Sequence, residues 1–245
     1  MQLIRTPRRL TTILYRTGAL ALFGFLINAC VSVDLPSIAH VHVGHVVTAW
    51  PDTPQQRGLL EVTLADAAVA AEHAAYAVDG AGDLRAVRLH LGHVLHVVDP
   101  VLEASGPGSG YGLLRALEGA AHHLEYAVEV PDASANLRRG AGAVAAALRP
   151  LLAEVQAMAA LAEEGRRTPD AGHALAFAQE LRERAERLAG QLLQQRQRLT
   201  SVLQAEVPPY RTVPERFLFG IIRLPSGQWS LERVPGVTRP VSAYE

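Results

Sequence analysis

Two stretches of this chain fix its fold class before any other feature is weighed. Residues 133–165 carry Val144, Leu148, Leu151, Val155, Met158 and Ala162 at spacings of three and four. Residues 171–206 repeat the pattern with Phe177, Leu181, Ala185, Leu188, Leu192, Leu199 and Leu203. Such spacing places every apolar side chain on one stripe of a long helix. The other face of the second stretch is Glu, Arg and Gln, which suits water. Thr168-Pro169-Asp170 separates the two as a turn and cap, so they should fold back as an antiparallel pair. Pro150 is placed to kink the first helix.

Three shorter helices are expected before this pair. Residues 63–79 are rich in Ala, lack Gly and Pro, and end at Gly80 and Gly82. Residues 83–98 begin at Asp83 as N-cap and stop at Asp99-Pro100. Residues 112–129 stop before Pro131. The expected architecture is therefore all-α, a bundle of about five helices over 63–206. An extended leader precedes it over 30–62, where Pro36, Pro51, Pro54 and β-branched residues cluster. In the extension 207–245, Phe217–Leu224 and Trp229–Val234 flank Pro225-Ser226-Gly227-Gln228 as a β-hairpin. No repeat of fixed period stands out.

The first thirty residues read as an address. Arg5, Arg8, Arg9 and Arg16 precede the apolar run Ala19–Ile27, with no acidic residue among them. That run is too short for a membrane span of about 20 residues and fits a signal peptide over 1–29. The ending Ile27-Asn28-Ala29-Cys30 resembles the lipobox of bacterial lipoproteins. The resemblance implies cleavage before Cys30, its lipidation, and a chain anchored in the cell envelope facing the periplasm. Val31, in place of an Asp, favours the outer membrane. Cys30 is the only cysteine of 245 residues, which excludes a disulfide framework and a Cys-based zinc site. All 23 basic residues are Arg, and cleavage removes four of them, leaving 19 against 24 acidic residues and a net charge of −5. Such a chain does not seek nucleic acid or anionic lipid, and its membrane contact should be the lipid alone. A protein partner in the envelope is compatible with the long helix pair.

Chemistry is concentrated in histidine. Nine of the ten histidines fall in three groups and one single between residues 40 and 123: His40, His42 and His45; His73; His90, His93 and His96; His122 and His123. Imidazole is the commonest metal ligand. On a helix, His90, His93 and His96 share an arc of roughly 120°, opposite Leu84, Val87, Leu91, Val94, Leu95 and Val98. The low charge of 83–98 suggests a helix buried all round. Antiparallel pairing about residue 81 brings His73 level with His90. A second pairing, about residue 105, would bring His122 and His123 to the same layer. One site is thus expected, from His73, His90 or His93, and His122 or His123, closed by His40, His42 or His45. Imidazole-rich sites suit zinc, copper(II), nickel or haem iron. Haem b is the alternative, since Gly92, Gly119, Ala120 and Ala121 are small residues beside histidines. A third reading is a structural or adaptor lipoprotein with incidental histidines.

Enzymatic signatures are missing. There is no Gly-x-Ser-x-Gly elbow, no His-Glu-x-x-His and no Cys-x-x-Cys-His. Glu118 with His122, and Glu72 with His73, have the wrong spacing for a di-iron site. Gly106-Pro107-Gly108-Ser109-Gly110 lacks the spacing and the preceding strand of a phosphate loop. Binding, sensing or delivery of a metal ion is expected rather than turnover.

Overall fold

The computed structural model describes residues 37–206 and the backbone of three short strands beyond them. The expected signal peptide over 1–29 and Cys30 lie outside the described residues. Among the described residues there are six α-helices: α1 (Ile38–Val47), α2 (Leu59–Asp79), α3 (Leu84–Val98), α4 (Leu113–Glu129), α5 (Ala135–Arg167) and α6 (Ala171–Gln204). Strands β1 (Glu215–Arg216), β2 (Ile221–Arg223) and β3 (Trp229–Leu231) pair antiparallel in sequence order. The turn of the expected hairpin and its packing on the bundle lie outside the described residues.

Helices α2, α4, α5 and α6 form the central ring, in which α2 touches α4 and α6, and α5 touches α4 and α6. The long pair α5 and α6 is antiparallel. Asn136, near the start of α5, donates to the Val202 carbonyl near the end of α6, and Arg184 bonds Glu154 at mid-length. Helix α5 runs through Pro150 without interruption. Its length and apolar character would suffice to cross a membrane. Here its stripe of Val144, Leu148, Leu151, Val155, Met158 and Ala162 is buried in the bundle instead. In α2 the buried stripe is Ala67, Ala70, Ala74 and Ala77, and in α4 it is Ala116, Ala120, Leu124 and Ala127. The alanines at these positions let the two backbones approach closely.

Two expectations are corrected here. The segment 38–47, expected to be extended, is helical. Its valines argue for an extended chain by propensity alone. Tertiary burial overrides that preference, because Ala39, Val43 and Val46 form an apolar stripe with no exposure. Ser37 caps the helix by accepting from the His40 N–H, and the Asp132 carboxylate accepts from the N–H groups of Ile38 and Ala39. Helix α2 also starts at Leu59, four residues earlier than expected, because Leu59, Leu60 and Val62 are buried.

The second correction concerns α3 and α4. They are consecutive in sequence yet hardly touch; α3 packs on α2 and α5, whereas α4 packs on α1, α2 and α5. The connection 99–112 is long enough to carry the chain across α2. It turns through Gly108, Gly110 and Gly112, all at positive φ, where glycine has no steric penalty. The buried Asp66 holds it there, accepting from the Ser109 N–H at 2.8 Å and the Ser109 hydroxyl at 2.5 Å. The glycine-rich loop is thus a pinned crossover. Helix α3 is buried over 91–98 except at His93, which is half-buried; Leu89, in its first half, is exposed.

Candidate metal centres

Helices α2 and α3 run antiparallel, and the flank of each beside its buried stripe carries imidazoles. His73 projects from α2; His90 and His93 project from consecutive positions of one face of α3. Their Nδ1 atoms converge: His73 lies 3.0 Å from His90 and 3.3 Å from His93. The rings of His73 and His93 stand at 86° to one another, and those of His73 and His90 are tilted by 31°. Tyr76, one helical turn after His73, touches the His73 and His90 rings at 5.4 Å between centroids. Its hydroxyl donates to Glu72 Oε1 at 2.6 Å.

A second cluster forms where α1 crosses α4, also antiparallel. His123 Nδ1 lies 3.1 Å from His42 Nδ1 and 3.4 Å from His45 Nδ1. Trp50 packs against both His45 and His123, with centroids 4.8 and 4.7 Å away. Tyr126, one turn after His123, touches His42 at 5.4 Å. Both triads bring one ligating nitrogen from each of three residues within 4.8 Å of one another, and all six rings are half-buried.

The geometry has a definite chemical content. An imidazole nitrogen offers one in-plane position, filled by a proton or by a lone pair. His73 Nδ1 faces two other Nδ1 atoms, and so does His123 Nδ1. One hub proton cannot be shared fully with both neighbouring nitrogens. A single cation accepts all three lone pairs together. Zinc–nitrogen bonds of about 2.0–2.1 Å place tetrahedral ligands about 3.3–3.4 Å apart, close to the hub separations of 3.0–3.4 Å.

At His42, His73, His93 and His123 the surroundings favour the neutral ring, the form a metal ligand takes. Burial, with the fields of His45, His42 and His122, pushes His123 down to about 4. Burial also lowers His42, where Asp132 opposes it. His73 is lowered by burial and by His93 and His90, and His93 by burial and by His90 and His96.

The single layer expected from sequence is therefore two sites. His73 meets His90 and His93, but His122 and His123 do not join them, because α4 lies across α2 from α3. His40, His96 and His122 belong to neither triad. His40 bonds Ser37 and lies 3.4 Å from the Glu206 carboxylate. His96 is buried with Nδ1 on the Glu103 carbonyl, the ordinary arrangement of a core histidine. His122 stacks on Tyr126. His173, outside the expected set, pairs with Asp170.

The two triads are copies of one arrangement. His42-Val43-Gly44-His45-Val46 on α1 matches His90-Leu91-Gly92-His93-Val94 on α3. Ala70-Ala71-Glu72-His73, continuing to Tyr76-Ala77-Val78-Asp79, matches Ala120-Ala121-His122-His123, continuing to Tyr126-Ala127-Val128-Glu129. The first pair of motifs lies 48 residues apart and the second 50. This slip of two residues hides the repeat from a search for one fixed period. The pairing is crossed: α1 of the first copy meets α4 of the second, and α3 of the second meets α2 of the first. Tyr76, Tyr126 and Trp50 were not among the expected site residues, and the repeat is the signal that marks the tyrosines. No family model matches this chain, and no curated protein or solved structure is similar to it.

Proposed function

We propose that this protein binds two divalent transition-metal ions, one in each histidine triad, and holds or hands on those ions at the cell envelope. The observation that carries the reading is the pair of hub nitrogens, His73 Nδ1 and His123 Nδ1, each aimed at two further Nδ1 atoms. Zinc, copper(II) and nickel all accept imidazole. The convergence of three nitrogens on one point favours an ion over a haem, whose axial ligands stand on opposite faces of a flat macrocycle. Three protein ligands leave a coordination position for water or an incoming donor, as in sites that exchange their ligands rather than closed structural ones. Half-burial of the rings keeps that position reachable, which suits storage, sensing or delivery.

The lipobox-like ending at Cys30 supports a lipid anchor facing the periplasm, with the outer membrane favoured by Val31. A single acyl chain binds weakly, so firm retention requires the several chains of a lipoprotein cysteine. Cys30→Ser should release the protein from washed membranes; unchanged retention would refute the anchor.

The metal reading is tested by calorimetric titration of Zn²⁺, Ni²⁺ and Cu²⁺ into the detergent-solubilised chain. Wild type should take up two ions, and His73→Ala should lose one of them. His73→Ala combined with His123→Ala should lose both. Equal uptake by all three proteins would refute it.

A further inference from the structure

The two triads are alike in their rings and unlike in what else holds their helices together. The α2–α3 triad joins residues 17 and 20 apart in sequence, on a hairpin closed by the short turn 80–83. Helix α3 is braced besides. It buries Leu91, Leu95 and four valines, it packs on α5 as well as α2, and the Arg88 guanidinium donates to the carbonyl of Thr168, the C-cap of α5. Its counterpart in the other copy, α1, has far less. Its ten residues fall below the roughly 12–15 that an isolated helix needs. Its fully buried side chains are Ala39, Val43 and Val46, and none of the large buried side chains of the core lies on it. It rests on α4, with a smaller contact to α2. Ser37, Asp132 and Glu206 anchor its first turn. Toward its other end, beside Val43 and Val46, the triad takes over: His42 and His45 meet His123 across 81 and 78 residues of sequence, and Trp50, just past the helix, packs on His45 and His123.

We infer that α1 is a latch worked by the metal: an ion held by His42, His45 and His123 locks α1 onto α4, and without the ion α1 opens more readily than α3. This rests on the triads holding metal. Two of the three ligands are on α1, so any opening that lifts α1 from α4 breaks the centre. Binding of the ion therefore suppresses that opening by the factor 1 + [ion]/Kd, about 100-fold at 100 times Kd. The α2–α3 centre works no such latch, because α3 keeps its seat on α5 with or without an ion. Opening of α1 uncovers its stripe of Ala39, Val43 and Val46 and the surface of α4 beneath it. Occupancy of one centre thus changes the protein surface, as a sensor requires, while the other centre holds its ion on a framework that stays in place.

The test is hydrogen–deuterium exchange of the full chain in detergent, read on peptides from α1 and α3, with a chelator or with free zinc buffered at about 100 times Kd. Without metal, the slowest amides of α1 should exchange at least roughly tenfold faster than the slowest amides of α3. Zinc should slow the α1 amides of wild type by up to about 100-fold. His73→Gln should show the same slowing, and His123→Gln none, although it still takes up zinc at the other centre. Metal-free α1 amides as protected as those of α3 would overturn the latch. Zinc taken up by His73→Gln without slowing of its α1 amides would overturn it equally, and both results leave the triads intact. A wild type that takes up no zinc would overturn the latch and the triad reading together.

Discussion

Acid should destabilise the metal-free protein through His123. In an unfolded chain an imidazole titrates near 6.5. In the fold, burial and the neighbouring rings hold His123 near 4. Between those values the unfolded state binds a proton that the folded state refuses, so this contribution is intact above about pH 6.5 and is lost as pH falls toward 4. From pH 7 to pH 5 the linkage amounts to about 2 kcal/mol, reduced to about 1–2 kcal/mol because the ring keeps some contact with solvent. His42, His73 and His93 are shifted in the same direction and add to it. For a chain of this size, about 2–4 °C accompanies each kcal/mol, so His123 alone should lower Tm by about 2–8 °C. The assay is thermal unfolding by circular dichroism at the two pH values, with a chelator present. His123→Gln, which does not titrate, should show a flatter pH dependence by that amount. Parallel slopes for the two proteins would refute the claim that a desolvated His123 is held neutral at the centre of its triad.

Trp50 packs on His45 and His123, so a paramagnetic ion in that triad should quench its fluorescence; Trp50→Phe should abolish the copper-dependent change, and His73→Gln should leave it intact. Asp132 anchors the first two N–H groups of α1, a capping contact worth about 1 kcal/mol. Asp132→Ala should therefore weaken copper binding by roughly fivefold in the Trp50 titration, without affecting the His73 triad. At Gly140 an added Cβ would overlap Val202 Cγ2 in the α5–α6 contact. Gly140→Ala should destabilise the protein by about 1–3 kcal/mol despite alanine's better helix propensity, as measured by urea unfolding.

The helices that read most clearly in the sequence were those whose stripe is long. In α5 and α6 the spacing of three and four persists over more than thirty residues each, so accidental matches are few. Helix α1 was hidden because its ten residues contain four valines and sit among prolines. What makes it helical is distant in sequence: the Asp132 anchor and the surface of α4. The site divided in the same way. The short turn at 80–83 forces α2 and α3 to be antiparallel neighbours, so the level of His73 against His90 follows from chain geometry. The connection 99–112 imposes no such constraint, and the assumption that α3 and α4 pair across it merged two centres into one. What directs that crossover is the bond from Ser109 to the buried Asp66, a contact across 43 residues of sequence.

Metal stoichiometry tests the central claim most directly. The full chain in detergent is dialysed against zinc, washed free of excess, and its zinc content measured per chain by elemental analysis, alongside His73→Gln, His123→Gln and the double variant. Two convergent triads predict two ions, one, one and none. A wild-type chain that retains no ion, or a double variant that retains two, would contradict the claim.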